Sequence, residues 1–189
     1  PNDPFTWASG IKSPIYCDNR VTLSYPQIRT YIRQGYSECI IDHFGKPDII
    51  AGVATGGIAQ GALVAQELGI PFIYVRSEAK SHGMTNQIEG YFEPGQKVVV
   101  IEDLISTGGS SLKAVEALRE AGLEVRGLVA IFTYGFEIAH SSFADAECPY
   151  ITLTDYDVML NKALSNNLIS EHELASLRQW KVNPQEWKK

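Results

Sequence analysis

Cysteine and methionine are scarce in this chain, and long apolar runs are absent. The 189 residues include three cysteines and two methionines. Cys17, Cys39 and Cys148 are odd in number and lack a CxxC spacing. We therefore interpret them as reduced thiols of a cytoplasmic protein that fill buried space and do not bind metal. No run of eighteen apolar residues occurs, so the sequence predicts no membrane-spanning helix.

Basic residues are outnumbered by acidic ones. Lys and Arg total 16 against 22 Asp and Glu, which gives a formal net charge of -6. Because no basic block occurs either, this balance argues against nucleic-acid binding. An anionic ligand would have to be held by a few local cations and by backbone dipoles. His43, His140 and His172 have no ligand spacing between them, which argues against a zinc site.

Length and composition fit one domain. With 44% hydrophobic residues, the chain can bury one good core. Residues 1–4 carry no secretory pattern, and the first residue is proline and not methionine. We therefore expect residues 1–189 to form a single domain, and we expect a further segment to have preceded Pro1.

Predicted strands and helices alternate along the chain. Short apolar runs predict strands, and apolar residues at helical spacing predict helices. This alternation is typical of a parallel α/β sheet that binds ligands at the carboxyl ends of its strands. We predict strands at residues 15–18, 49–53, 71–75, 98–101, 125–134 and 150–153, and helices at residues 25–44, 58–68, 110–121, 155–164 and 170–181.

The stretch 98–110 carries the clearest functional signal and reads VVVIEDLISTGGS. Four apolar residues lead into Glu102 and Asp103, and a Ser-Thr-Gly-Gly-Ser turn then opens a helix. Neighbouring residues of a regular strand point to opposite faces. We therefore expect the chain to turn at the acids, so that both carboxylates reach one ligand. Consecutive amides at a helix start are typical of a phosphate site, beside which the acids would bind hydroxyls or help to hold hydrated Mg²⁺.

Each part of this stretch also has a simpler interpretation. Two acids at a strand end can be a solvated pair, and Ser110 alone fits an ordinary helix N-cap. Neither interpretation explains why the acids directly precede the turn, so we favour a binding site. The stretch is not a Walker loop, because no Gly-Lys-Ser/Thr follows, and the chain has no GxGxxG motif.

Two further segments are candidates for the same site. Residues 54–57 form a second Gly-rich turn after a strand, whose amides could hold another anionic group or be purely structural. Residues 77–90 have few apolar side chains and include Lys80 and His82. A polar loop of this length in a compact domain is typical of a lid, and a solvated hairpin is the alternative.

These residues resemble the type I phosphoribosyltransferases, whose signature is the acidic pair followed by the Gly-rich turn. FTWASGIKSPIYCDNR and YVRSEAKSHGMTNQIEG are similar to the orotate phosphoribosyltransferases of the short bacterial type, and GVATGGI fits the family's pyrophosphate loop. The resemblance covers almost the whole chain. It implies the type I phosphoribosyltransferase fold, an α/β fold with a central, mostly parallel sheet flanked by helices. It also implies a small N-terminal hood at residues 1–24 and a flexible lid loop at residues 76–90.

The resemblance further implies a reaction. With Mg²⁺, the enzyme would transfer ribose 5-phosphate from 5-phosphoribosyl 1-diphosphate to orotate, giving orotidine 5′-phosphate and diphosphate on the path to UMP. Lys80, Glu102 and Asp103 would be catalytic, the two acids on the ribose hydroxyls, and Ser106 would also approach orotate. In this family the lid reaches into the neighbouring subunit's site, which implies a homodimer. The donor would be bound by Arg76, Lys80, His82, Glu102, Asp103, Leu104, Ile105, Ser106, Thr107, Gly108, Gly109 and Ser110.

Three positions differ from the longer enterobacterial type. Ala8 and Ser77 stand where those enzymes have lysines, and Tyr134 stands where they have an arginine that contacts orotate. We therefore expect amides of the N-terminal loop, with Lys12 or Arg20, to hold the orotate carboxylate. Two other functions stay open: a regulator that binds the donor without chemistry, and the same transfer to a purine base.

Overall fold

The computed structural model describes residues 4–7, 11–76 and 87–187. A small antiparallel ribbon consists of β1 (Phe5–Thr6) and β2 (Lys12–Ser13), and a 3₁₀-helix follows at Asn19–Ser24. The central sheet contains β3 (Ile49–Val53), β4 (Phe72–Val75), β5 (Ile88–Glu89), β6 (Lys97–Ile105), β7 (Glu124–Thr133) and β8 (Tyr150–Asp155). The helices are α1 (Pro26–Phe44), α2 (Gly56–Leu68), α3 (Gly109–Glu120), α4 (Glu137–Asp145), α5 (Tyr156–Ser165) and α6 (Glu171–Val182).

The central sheet is parallel except at one edge. Its strands lie in the order β5-β4-β3-β6-β7-β8. β3 pairs in parallel with β4 and β6, and β7 pairs in parallel with β6 and β8, whereas β5 runs antiparallel to β4. All five residues of β3 are buried, as expected for a central parallel strand covered on both faces. The predicted α/β fold with a mostly parallel sheet flanked by helices is confirmed.

Hydrophobic cores lie on both faces of this sheet. One core contains residues of α1, α2, α5 and α6, and the other contains residues of α3 and α4. Side chains of β6 alternate between them, since Val99 and Ile101 belong to the first core and Val98 and Val100 to the second.

Helix ends follow the signals in the sequence. α2 is closed by Gly69 in the left-handed conformation, with φ of 63°. Ser170 and Glu173 form a capping box at the start of α6, and the Asp155 side chain accepts from the Val158 N–H at the start of α5. The predicted helices at residues 155–164 and 170–181 are therefore confirmed to within one residue at each end.

The predicted strand at residues 15–18 is wrong. Within the described ranges those residues pair with no strand, and Lys12–Ser13 pairs with Phe5–Thr6 instead. The Ser13 hydroxyl donates to the Ile15 carbonyl at 2.7 Å, a local turn that ends the pairing after two residues.

Helix α4 was not predicted. Its sequence EIAHSSFAD contains two serines, which have weak helix preference because their hydroxyls bond to nearby backbone. The Ser141 hydroxyl indeed donates to the Glu137 carbonyl at 3.1 Å. The available signal was the spacing of Ala139 and Phe143, which are four residues apart and both buried against the sheet.

Aromatic side chains fasten the N-terminal segment to the C-terminal helices. Trp7 meets Trp180 edge-on, with ring centroids 5.9 Å apart, and the Trp180 indole N–H donates to the Lys12 carbonyl at 2.8 Å. Tyr134 stacks on Phe136 at 5.5 Å and is only 2% exposed. The position where longer relatives were expected to have an arginine is therefore part of this aromatic core. No helix in the described part of the chain is long and apolar enough to cross a membrane.

Candidate active site

Strand β6 continues past the acidic pair, but its side-chain alternation changes there: Leu104 packs with the first core and Ile105 with the second, the reverse of the order from Val98 to Ile101. Glu102 pairs with Ala130 and Leu104 with Phe132, and the ladder ends at Ile105 opposite Thr133. Because these bonds to β7 hold the backbone extended, the chain turns only at Ser106. The carboxyl groups of the two acids nevertheless remain close enough to interact, as a shared ligand site requires.

Glu102 points toward α3 and is only 5% exposed. One of its carboxyl oxygens accepts from the Asp103 N–H at 2.9 Å, and the other accepts from the Ser111 hydroxyl at 3.0 Å. Ser111 lies in the first turn of α3 and is 1% exposed. Burial and the neighbouring Asp103 carboxyl raise the pKa of Glu102 from 4.5 to about 8.

Asp103, in contrast to Glu102, is partly exposed. A Cβ atom on Gly56 would overlap its carboxyl group, so this acid lies directly against the start of α2. Its main-chain carbonyl accepts from the Asn19 side-chain amide at 2.7 Å. The neighbouring Glu102 carbonyl accepts from the buried Tyr36 hydroxyl at 2.5 Å. Both peptide groups are thus fixed from the α1 side of the sheet.

The Gly-rich turn at residues 106–110 has the form expected of an anion site. Gly108 has φ of 83°, and a Cβ there would lie 2.7 Å from the Phe143 ring, so only glycine fits. α3 begins at Gly109, and the first amides of a helix have no partner within the helix. Gly109 and Ser110 are exposed, as a ligand-binding turn requires. The preceding Ile105 side chain is buried in the α3 core, so only its backbone can contact a ligand.

The second turn, residues 54–57, leads from β3 into α2 beside the first. A Cβ on Gly57 would overlap the Ile101 carbonyl of β6, and the Asp103 carboxyl lies against Gly56. The amides that begin α2 therefore lie next to one of the two acids. This is the arrangement that a ligand with anionic groups on both sides of a sugar requires.

Arg76 follows β4 at the same end of the sheet. With Ser110 and Lys113 it lines a cavity of about 240 Å³, and its guanidinium lies 3.6 Å from the Glu89 carboxylate. The Arg76 N–H donates to the Gln87 carbonyl at 2.9 Å, which joins the two ends of the 77–86 segment. Lys80 and His82, with Ser77, belong to that segment and lie outside the described residues.

The structure adds residues that sequence reasoning missed. Ser111, one position beyond the predicted turn, bonds to Glu102, and Asn19 bonds to Asp103 across 84 positions of sequence. Lys113, which lines the cavity beside Ser110, lies three residues after it on the same helix face, so it was predictable from the sequence. Asn19 had no such local signal. Of the two proposed orotate cations, Arg20 is paired with Asp18 at 2.7 Å and 55% exposed.

Among the described residues, Mg²⁺ has few side-chain ligands available at this site. Within the described ranges, no group of three or more His, Cys, Asp or Glu side chains could hold a metal ion. Mg²⁺ is commonly bound by one or two carboxylates together with substrate phosphates and water. The partly exposed Asp103 beside two anion-binding turns fits a Mg²⁺ that is held mainly by its substrate.

Comparison with known proteins supports what the geometry suggests. The family model described as phosphoribosyl transferase domain matches residues 24–160. The orotate phosphoribosyltransferase of Porphyromonas gingivalis is 58% identical over 187 residues, which covers 99% of this chain and 89% of that protein. That of Bacillus caldolyticus is also 58% identical over 187 residues, covering 99% of this chain and 90% of that protein.

The chain belongs to the orotate phosphoribosyltransferase family.

The fold agrees with that of solved orotate phosphoribosyltransferases. The enzyme from Aeropyrum pernix superposes with a TM-score of 0.77 and 31% identity, over 84% of this chain and 89% of that one. The resemblance inferred from the acidic pair, the N-terminal segment and the 76–90 segment is thereby confirmed.

The buried Glu102 predicts a dependence of stability on pH. A pKa raised from 4.5 to about 8 means that the folded state binds the proton more tightly than the unfolded state. The contribution of Glu102 is fully present below pH 4.5 and is lost as pH rises to about 8. We expect the free energy of unfolding, measured by urea denaturation, to fall over this window, and to fall less in a Glu102→Gln variant.

A matched control is Glu116→Gln, an exposed glutamate on α3. That variant should keep the pH dependence of the unmodified protein. If the free energy of unfolding depended on pH equally in the unmodified protein and in Glu102→Gln, the raised pKa of Glu102 would be contradicted.

Proposed function

We propose that this protein transfers the ribose 5-phosphate group from 5-phosphoribosyl 1-diphosphate to orotate. The products are orotidine 5′-phosphate and diphosphate, and the reaction belongs to the synthesis of UMP. The observation that carries the proposal is an acidic pair between two Gly-rich turns, in a chain 58% identical to orotate phosphoribosyltransferases over 99% of its length. These turns give amides for two anionic groups and the acids give acceptors for the sugar between them.

In this proposal each part of the donor has its own subsite. The 5′-phosphate is held by residues 106–110 and the ribose hydroxyls by Asp103. Glu102 is buried next to Asp103 and is bonded to Ser111 of α3. The diphosphate lies at residues 54–57 and Arg76, and Lys80 and His82 complete its binding. The cavity between Arg76 and Ser110 supports this division, because it joins the end of β4 to the start of α3.

The proposed chemistry places charge where these residues can oppose it. Carbon 1 of the ribose gains positive charge as the diphosphate departs, and the Asp103 carboxylate lies near the sugar to stabilise it. Arg76 and Lys80 offset the negative charge that grows on the leaving group. Neither acid needs to form a covalent bond with the sugar.

The base would bind beneath the hood, the N-terminal segment at residues 1–24. In the described part of this segment, Cys17 lies close enough to Asp103 for the acid to raise the thiol pKa, which burial first and Asp103 second bring to about 11. We propose that amides of this loop, with Ser106 and with Lys12 or Arg20, hold orotate. The Arg20–Asp18 pair is exposed, so exchange of Asp18 for a ligand carboxylate carries little cost.

Mg²⁺ is proposed as the cofactor. When bound with the donor, it would neutralise part of the diphosphate charge and make it a better leaving group. The residue of this chain that fits a role beside it is Asp103, as its exposure and position indicate. The remaining ligands would be oxygens of the donor and water.

We further propose a cytoplasmic, single-domain homodimer in which residues 76–90 act as a lid shared between subunits. Closure of such a lid would exclude water, which otherwise competes with the orotate nitrogen for carbon 1. The exposed Ile28 and Tyr31 of α1, with Tyr25 directly before the helix, support a contact surface, because a group of large apolar side chains in water favours burial.

The direct test is an absorbance assay of orotate consumption with the donor and Mg²⁺. We expect turnover with orotate and none with adenine or xanthine. Turnover with a purine alone would contradict the proposed substrate. Tight donor binding without turnover of any base would instead indicate a regulator.

A further inference from the structure

One hydrogen bond connects the hood to the strand that carries the acids. The Asn19 side-chain amide donates to the Asp103 carbonyl at 2.7 Å, between residues 84 positions apart in sequence. Asn19 begins the 3₁₀-helix Asn19–Ser24, which lies against α1, α2 and β6. The bond therefore crosses from the N-terminal segment to the backbone of the acid that faces the ribose subsite.

The Asn19 side chain is itself fixed in orientation. The Cys17 thiol donates to the Asn19 side-chain oxygen at 3.5 Å, and the Thr22 hydroxyl donates to the Asn19 main-chain carbonyl at 2.6 Å. The Asp18 side chain accepts from the Arg20 N–H and caps the same helix. Because its oxygen is directed toward Cys17, the amide nitrogen of Asn19 is directed toward Asp103. A side chain held at both ends transmits the position of one segment to the other.

The hood has other attachments that do not pass through Asn19. The Trp180 indole N–H donates to the Lys12 carbonyl at 2.8 Å, and the Arg29 guanidinium donates to the Leu23 carbonyl at 2.8 Å. Trp7 packs against Trp180 and Tyr134. Loss of the Asn19 bond would therefore leave the hood folded and attached, but free to shift relative to Asp103.

We propose that Asn19 is a positioning residue that sets the distance between the bound base and carbon 1 of the ribose. This inference rests on the proposed function, in which the base lies beneath the hood and the ribose beside Asp103. Asn19 contacts neither reacting atom. It acts through the Asp103 backbone on one side and through the loop that contains Cys17 on the other. Reaction requires the two atoms at about 3–3.5 Å, and an error of about 1 Å can cost about 10²-fold in rate.

Two variants of the full-length protein test this role. Asn19→Leu keeps the approximate shape of the side chain without its donor, and Asn19→Ala removes the side chain as well. We expect kcat to fall on the order of 10-fold and KM for orotate to rise several-fold in both, because the aligned geometry is lost. The Kd of the donor with Mg²⁺, measured by calorimetry without orotate, should change less than about two-fold, since its subsites are formed by other residues.

Asn161→Ala is the matched control. Asn161 is an exposed asparagine on α5 whose side chain accepts one bond from Arg178 at 3.3 Å. The variant loses one asparagine side-chain hydrogen bond that lies away from the hood and from Asp103. We expect kcat and KM for orotate in this variant to equal those of the unmodified protein.

The outcomes separate this inference from the proposed function. A lower melting temperature with unchanged kcat and KM for orotate would overturn it, and so would a donor Kd weakened as much as KM for orotate. If the unmodified protein turned over a purine base and not orotate, the proposed function would fail. The Asn19 variants would then be measured with that base. A raised KM for the base with an unchanged Kd for the donor would support the positioning role. If the unmodified protein turned over no base, the proposed function and the positioning role would both be overturned.

Discussion

Replacement of Asp103 by asparagine is expected to reduce kcat by roughly 10²-fold or more while the protein stays folded. The side chain is partly exposed at the end of β6 and lies against Gly56, between the two Gly-rich turns. Asparagine has nearly the same shape as aspartate and can still form hydrogen bonds. It lacks the negative charge that would stabilise the positive charge on carbon 1. The main-chain bond from Asn19 does not involve the altered atoms, so the hood should keep its position.

The measurement is steady-state kinetics with orotate, accompanied by thermal unfolding. Asp145→Asn is the control, because Asp145 is exposed at the end of α4 and belongs to neither turn. Its kinetic constants should be unchanged. Turnover of Asp103→Asn within a few-fold of the unmodified protein would remove Asp103 from the ribose subsite.

Addition of a single methyl group at Gly56 is expected to have a comparable effect. In Gly56→Ala, the new Cβ would overlap the Asp103 carboxyl group, which must then move into the space where the ribose is proposed to bind. The same methyl group would narrow the amide turn that receives the diphosphate. We expect kcat/KM for the donor to fall on the order of 10²-fold, about 2.7 kcal/mol in transition-state binding.

Gly69→Ala, at the other end of the same helix, separates this steric effect from damage to α2. Gly69 has φ of 63°, and a Cβ there has nothing within 4 Å. Because alanine is strained at positive φ, this variant should lose on the order of 1 kcal/mol of stability and keep its kinetic constants. Equal activity losses in Gly56→Ala and Gly69→Ala would show that helix integrity, and not contact with Asp103, is what matters.

The sequence predicted most of the sheet because its signals are local. The apolar runs of β3 and β6 and the turns that follow them are each contained within a few residues, and the structure has them where they were expected. The direction of the acids was not predictable in the same way. It depends on the change in side-chain alternation between Ile101 and Leu104, which is not visible in residues 98–110 alone.

The contacts that fix the acids are longer in range still. Tyr36 and Asn19 reach Glu102 and Asp103 from 66 and 84 positions away in sequence. Neither residue could be recognised from its type. A tyrosine at helical spacing is typical of a hydrophobic core, and an asparagine before a turn is typical of a helix cap. Ser111 was closer to prediction, because it adjoins the turn at residues 106–110.

The two ends of the 77–86 segment meet at a narrow stem. Arg76 and Gln87 are joined by one backbone hydrogen bond, and Val75 and Ile88 form a strand pair directly behind it. These strand contacts offset part of the entropy of closing the segment, a cost that grows only slowly with its length. Residues could therefore be inserted between the two sides of the stem at a cost of only about 0.6 kcal/mol per doubling of length. Arg76 would keep the backbone bond and the strand pair that place it at its cavity.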